Sequence, residues 1–450
     1  MDIGDNGNVA TAEMPARRVS VQLADPTKGA FFWLSAFFVV YCARPEDWIP
    51  GLKYFPLAKI TAVLAMWGLF NSLGRTKRHY KDRPIEARLL LTMIGLMYIG
   101  AFTSPIWRGG ALKNTIDFSK IYIAWMLVFL LITTFGRLRR IIFIQAVSVV
   151  VISAVALVMG HNTPRLNGVI GGIYSNPNDL AFAIVLSLPF ALAFMVTARS
   201  PIKKAFWLFG MLIMAVALFE TASRAGFVDL VISGSVTLYH FAIKGRRMYL
   251  LVATAFLGVI IGVSVGGKLY DRFEALSGSS ATEQTAYASY EARMYLMQRA
   301  MDGIINYPIF GVGARNFPVY SLIWHDVHMT YMQIMVEGGI PVGIIYLLFF
   351  WRAFVNLKIL KKVENLDEHT VLFIGAIYSS LVGYVVGALF APEAYQLFPY
   401  FSVAFTAALL ATVREHEHSL GSVAPPPKKP RHFLEAYADR GTTGAMSPVR

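Results

Sequence analysis

Cysteine is almost missing from this chain of 450 residues: Cys42 stands alone. No internal disulfide can form and no multi-cysteine metal site is available. Charge is scarce too, at 15%, where soluble globular chains carry about 25%. Acidic residues are the scarcer sign, 27 against 41 Lys and Arg, which leaves a net charge of +14. That excess does not point to nucleic acid, because the basic residues sit in short runs between apolar blocks rather than in one patch. No repeat of fixed period is visible. No cleavable leader is expected, since residues 1–29 are polar and the first apolar run lacks a small-residue cleavage site.

What fills the chain is apolar: 56% hydrophobic, 14% aromatic, with a mean hydropathy of +0.53. The apolar residues come in blocks of about 15–20, the length that crosses a bilayer core. Runs of that length without alternation mean helices, since lipid leaves backbone groups no other partners. The fold class expected is therefore an all-α polytopic membrane protein with about twelve spans. They are placed at 29–43, 56–73, 88–106, 118–135, 141–160, 179–197, 205–220, 225–242, 248–266, 338–357, 371–390 and 397–413. Residues 1–28 and 414–450 read as polar disordered tails, the second with the run Pro425 to Pro430. The remainder, 29–413, reads as one membrane domain.

The connections alternate in charge. Arg75, Lys77, Arg78, Lys81, Arg83 and Arg88 crowd the second. Later connections on the same side carry Arg137, Arg139 and Arg140, then Arg199, Lys203 and Lys204, then Lys244, Arg246 and Arg247, then Lys358, Lys361 and Lys362. That side holds about 28 of the 41 Lys and Arg and the other about 11. The bias places both termini in the cytoplasm and the one long polar loop, 267–328, on the far side. No nucleotide-activated sugar is available there.

The residues with chemistry cluster in and near that loop. Arg224 follows Ser223 in a short outer connection, against the positive-inside trend. It reads either as functional or as an Arg reaching up to headgroups. Asn176-Pro177-Asn178-Asp179 is ordinary helix-start chemistry, and also the geometry of an anion site that Asp179 would oppose. Residues 289–305 read as an amphipathic helix with Met294, Met297, Met301, Ile304 and Ile305 on one face. Arg293 lies at the edge of that face and is expected to meet a lipid phosphate; Arg299, beside Asp302, is expected in solvent. Gly311-Val312-Gly313 follows no strand, so it is a tight turn rather than a dinucleotide fingerprint. His325-Asp326-Val327-His328 holds too few ligands for a convincing metal site. His328 suits a general base for a hydroxyl nucleophile. Glu337-Gly338-Gly339 reads as a helix break, a carboxylate in the site, or both.

Taken in order, these signposts resemble the O-antigen ligase and polymerase family of bacterial membrane proteins. Ser175-Asn176-Pro177-Asn178 precedes a span, Ser223-Arg224-Ala225-Gly226 forms a short outer connection, and Arg293 follows. Tyr307-Pro308-Ile309-Phe310-Gly311-Val312-Gly313, Asn316-Phe317, His328 and Glu337-Gly338-Gly339 complete the set, over residues 165–350. Ala43 to Pro50 is similar to members from exopolysaccharide or exosortase-linked clusters. The resemblance implies a membrane glycosyltransferase of the GT-C type in the bacterial inner membrane, with no metal or other cofactor. Its implied donor is a glycan on undecaprenyl pyrophosphate, used on the periplasmic side; the acceptor would be a glycan, a lipid A core or a protein hydroxyl. His328 matches the catalytic His of that family, and Arg224 and Arg293 match its pyrophosphate-binding Arg pair. Asn178 and Glu337 are candidates for the substrate pocket. Met329 departs from the pattern, where Asn often follows the His. The rival reading is a polysaccharide flippase or transporter, which would place ionisable pairs inside the spans. Lys59, Lys120, Glu220 and Asp229 are expected near span ends, which favours transfer over transport.

Overall fold

The computed structural model describes residues 25–160, 166, 174, 176–259, 281–364 and 366–423. Among the described residues there are helices and turns and no strands. The helices are α1 (Lys28–Ala43), α2 (Pro45–Trp48), α3 (Leu57–Asn71), α4 (Ile85–Thr103), α5 (Arg108–Leu131) and α6 (Phe135–Met159). They continue as α7 (Pro177–Thr197), α8 (Pro201–Glu220), α9 (Arg224–Leu238) and the short α10 (Tyr249–Val259). After these come α11 (Ala281–Asn306), α12 (Phe317–Ser321), α13 (Thr330–Gly338), α14 (Ile340–Leu360), α15 (Glu368–Gly387) and α16 (Leu397–Val423). Nine of the described helices are long and apolar enough to cross a membrane: α4 to α8, α9 extended to Ile243, and α14 to α16. The shorter apolar helices α1, α3 and α10 occupy three more of the expected intervals. The chain is an all-α multi-pass membrane protein; length alone supports nine of the twelve expected crossings.

Local chemistry sets the helix starts. Asn176 Oδ1 accepts from Asn178 N–H at 3.0 Å and Pro177 occupies the first turn of α7, as the sequence indicated. Ser223 Oγ accepts from Gly226 N–H at 3.1 Å and opens α9. Asp367 does the same for α15. The bundle then packs α7 against α8, α9 and α15, with α4 on α5 and α14, and α16 on α14 and α5. At Gly226 a Cβ would lie 2.7 Å from Ala181 Cβ, so glycine lets α9 close on α7. The core is aromatic, with Trp125, Tyr346, Tyr384, Tyr400, Phe349 and Phe401 fully buried. A second, smaller cluster stands apart: Leu296, Ala300, Ile304, Val312, Phe317, Val327, Met332 and Val336.

Two expectations need correcting. The spans are not free of ionisable groups. Arg352, well inside α14, pairs with buried Glu86 of α4 at 3.3 Å. Asp229 lies more than a turn into α9, 1% exposed, with neither carboxyl oxygen hydrogen-bonded. Periodicity hid both, since one polar residue barely disturbs the hydropathy of a span. In addition, α16 continues to Val423, past the expected end at 413. Buried Arg78 explains part of this: it donates to Glu415 at 2.5 Å, to Thr412 Oγ1 at 2.7 Å and to the Ile132 carbonyl at 2.6 Å. That tie fastens the late turns of α16 to the end of α5.

Candidate active site

The site assembles where α7, α9 and α13 begin and α15 ends. Gly387 at the close of α15 abuts Phe182 of α7 and Asp229 of α9. Arg224 is the first residue of α9 and is half-buried. Its helix start is held by Ser223, whose hydroxyl also donates to Asn178 Oδ1 at 2.8 Å. Asn178 therefore ties α7 to α9 at the residue that precedes Arg224.

His328 sits two residues before α13, half-buried, while His325 is exposed. Thr330 anchors this stretch: its N–H donates to the Ala388 carbonyl at 2.8 Å and its hydroxyl to the Ala391 carbonyl at 2.6 Å. Arg293 reaches the same place from α11. The charge of Arg224 bears on Arg293, and that of Arg293 on His328. So the structure brings Arg224, Arg293 and His328 together from three elements far apart in sequence. Burial, then Arg293, then His325 push the His328 imidazolium down to about 4. The ring is neutral at ordinary pH, as a proton acceptor must be. Arg293 is exposed on α11, yet the protein around it and the neighbouring Arg224 lower it from its usual value. No carboxylate forms an ion pair with either guanidinium among the described residues.

Glu337 is 1% exposed. Its Oε2 accepts from the Tyr395 hydroxyl at 2.5 Å. Burial first, then Asp326, raises its carboxyl to about 8. The turn expected at 307–313 packs on this residue: Val312 N–H donates to the Val336 carbonyl at 2.8 Å, and Gly313 N–H to that of Glu337 at 3.0 Å. Gly311 has φ +66, and a Cβ there would lie 2.5 Å from Glu337 C. The two glycine motifs are thus one interlocked turn. Asn316 completes it, donating to Ser104 Oγ at 3.1 Å and to the Trp107 carbonyl at 3.0 Å.

The helix expected at 289–305 is present within α11, and of its expected apolar face only Ile304 is buried in the protein. Leu296, Ala300, Gly303 and Ile304 are buried, while Met294, Met297, Met301 and Ile305 are exposed. Both stripes are apolar, and the sequence could not say which one meets protein. Arg299 is not a free solvated charge either. Its guanidinium lies 4.8 Å over Tyr320, donates to the Tyr320 carbonyl at 3.3 Å and pairs with Asp302 at 3.7 Å. Residues 267–280 of the long polar loop, with Ser175 and His161, lie outside the described residues.

Sequence reasoning missed several neighbours. Arg315, at φ 51, lies 4.9 Å over the Tyr395 ring and offsets the burial that raises Asp326. Glu393, 3% exposed in the connection from α15 to α16, hydrogen-bonds Asp179. An acid in a short connection on the face of His328 was the one available signal. No set of three His, Cys, Asp or Glu is placed as metal ligands among the described residues.

Fold and site together define a multi-pass helical membrane protein with two guanidiniums, neither ion-paired among the described residues, beside a half-buried imidazole at one end of its bundle. Over residues 209–347 the chain matches the family model described as O-antigen ligase. The match runs from α8 into α14 and takes in Arg224, Arg293, His328 and Glu337. It supports the assignment to the O-antigen ligase-like family and a role in glycan transfer of the ligase or polymerase type. No curated protein matches the chain.

Proposed function

We propose that the protein transfers a glycan from an undecaprenyl-pyrophosphate donor to an acceptor hydroxyl, on the periplasmic face of the bacterial inner membrane. The observation that carries this reading is the pairing of Arg224 with Arg293. Two like charges that act on each other, with no carboxylate paired to either among the described residues, repel, so the arrangement suits an anion. A pyrophosphate diester fits: guanidinium forks match its oxygens and stabilise the charge that grows on it as the glycosidic bond breaks. His328 takes the acceptor proton. A conjugate acid near 4 makes a weak base, but the donor's negative charge beside Arg293 offsets that cation and lifts the imidazole toward working pH. Direct displacement by the acceptor oxygen inverts the anomeric carbon. The exposed stripe Met294, Met297, Met301 and Ile305 suits contact with acyl or isoprenoid chains. No step in this reading calls on a metal.

Charge bias sets the orientation, with both termini cytoplasmic. The acceptor – lipid A core, a second lipid-linked glycan or a protein hydroxyl – distinguishes ligase from polymerase. The transporter reading regains ground from the Glu86–Arg352 pair, but Glu86 lies far in sequence from the matched segment, Arg352 falls beyond its end, and the pair closes on Asn356. Transfer in vitro from a lipid-pyrophosphate glycan is the test. His328→Ala and Arg224→Ala are each expected to lower turnover by about a hundredfold or more. Wild-type turnover in both variants, with the donor still bound, rejects the site. A ladder of lengthening chains on the lipid carrier identifies a polymerase, and a single transfer to a non-lipid-carrier acceptor a ligase.

A further inference from the structure

The arginine end and the histidine end of the site are joined by a chain of contacts that the transfer reaction does not itself use. It starts at Ser223, which precedes Arg224 and donates to Asn178 at 2.8 Å. Asn178 is followed by Asp179, whose carboxyl shares a hydrogen bond with that of Glu393. The Glu393 backbone N–H donates to Thr330 Oγ1 at 2.9 Å. Thr330, fully buried, is two residues from His328. Four separate segments are linked in this way: the starts of α7, α9 and α13, and the connection from α15 to α16.

One link is chemically unusual. Two carboxylates are both acceptors, so a hydrogen bond between them exists only while one carries a proton. The surroundings favour keeping it. Besides each other, the groups bearing on the pair are Asp326 from the stretch before α13, Tyr41 from α1, Tyr346 from α14 and Tyr384 from α15. One is an acid, three are phenols, and none is a cation among the described residues. Burial first, then the Asp179 charge, holds the Glu393 carboxyl well above the ordinary carboxylate range.

We propose that Asp179 and Glu393 are positioning residues that share one proton, and that this carboxyl pair holds Arg224 and His328 at their working separation. The proposal rests on the reading of Arg224 and His328 given above. Losing the shared proton sets two carboxylates against each other and parts α7 from the connection after α15. Activity then falls on the alkaline side as a loss in kcat, with donor KM changing less.

The test compares wild type, Glu393→Ala and Glu393→Gln across pH, using the lipid-pyrophosphate glycan as donor. Glu393→Ala removes the link and is expected to cost roughly tenfold to a hundredfold in kcat, the scale of small misplacements at a reacting centre. Glu393→Gln restores activity relative to Glu393→Ala, because its amide donates to Asp179 without a titrating proton, and the alkaline limb disappears. Wild-type kcat in Glu393→Ala overturns the proposal, and so does an alkaline limb unchanged in Glu393→Gln. A second measurement stands apart from activity. The infrared band of a protonated carboxyl, lost on alkaline titration of the wild type, is expected to be missing from Glu393→Gln in difference spectra. If a titrating band is present in the wild type and missing from Glu393→Gln while no lipid-pyrophosphate donor is turned over, the functional reading has failed and the shared proton has not. If the difference spectrum is blank, the proton pair has failed whatever the activity shows.

Discussion

The two halves of the site rest on different foundations. Arg224 and Asn178 stand on the large aromatic core, locked by the close approach of Gly226 to Ala181 and by the Ser223 hydrogen bond. Arg293 stands on α11, which buries only Leu296, Ala300, Gly303 and Ile304 and packs on the smaller cluster. His328 lies between them: Val327 belongs to the smaller cluster, while Thr330 is tied to the connection after α15. One half is a firmly packed frame and the other a more lightly packed arm, and the proposed donor site takes one guanidinium from each.

The seam between these halves gives the largest expected effect. Gly339 has φ +87, and a Cβ there would lie 2.1 Å from the Ile309 carbonyl oxygen. Gly339→Ala therefore forces apart the turn at 307–313 and the end of α13. The strain and clash together are expected to cost about 3 kcal/mol or more. The contrast is Gly234→Ala on α9, where nothing lies within 4 Å and helix propensity improves. Thermal unfolding in detergent reads both. A Gly339→Ala protein as stable as wild type would mean that frame and arm are not joined at this turn.

The next effect is read in pH rather than in stability. In the free protein the His328 imidazolium is pushed to about 4 by burial first and Arg293 second. Transfer needs the neutral ring, so the acid limb of kcat/KM lies well below the ordinary histidine value. Arg293→Gln removes one of the two main causes and leaves burial. The conjugate acid then rises, and the acid limb moves to higher pH, short of the unperturbed value of about 6.5. The pyrophosphate diester stays ionised throughout, so the shift belongs to the protein. An acid limb that stays in place, or moves lower, would mean that arm and frame do not meet at His328.

How much of this was legible in the sequence follows the same division. The helical class and the start of α7 at Asn176-Pro177 were readable, because apolar block length and capping chemistry are local. So was the order of Arg224, Arg293 and His328, because each stands beside a recognisable motif. What was not legible depends on which surfaces meet. Met297 and Leu296 are both apolar, and only tertiary contact says that Leu296 packs and Met297 stays outside. Arg299 reads as a surface charge until Tyr320 is folded under it. The carboxyl pair of Asp179 and Glu393 joins residues more than 200 positions apart, and no periodicity reports such a contact.

Arg299 supplies the smallest of these effects and the sharpest view of the arm alone. Its guanidinium stacks on Tyr320 at 4.8 Å and donates to the carbonyl of the same residue at 3.3 Å, joining α11 to the turn of α12. The ion pair with Asp302 is long at 3.7 Å and partly exposed, so it adds little. Stacking and one hydrogen bond at a half-exposed site are together worth about 1 kcal/mol. Arg299→Ala should leave global unfolding nearly unchanged, since the large core does not involve it. Locally the loss weakens the anchoring of α11, so amide exchange should quicken from Leu296 to Ile304 and stay constant from Leu180 to Phe190 of α7. Donor KM should rise with it, because Arg293 rides on the same helix one and a half turns away. Exchange that quickens equally in α7 and α11 would show that the two foundations are one.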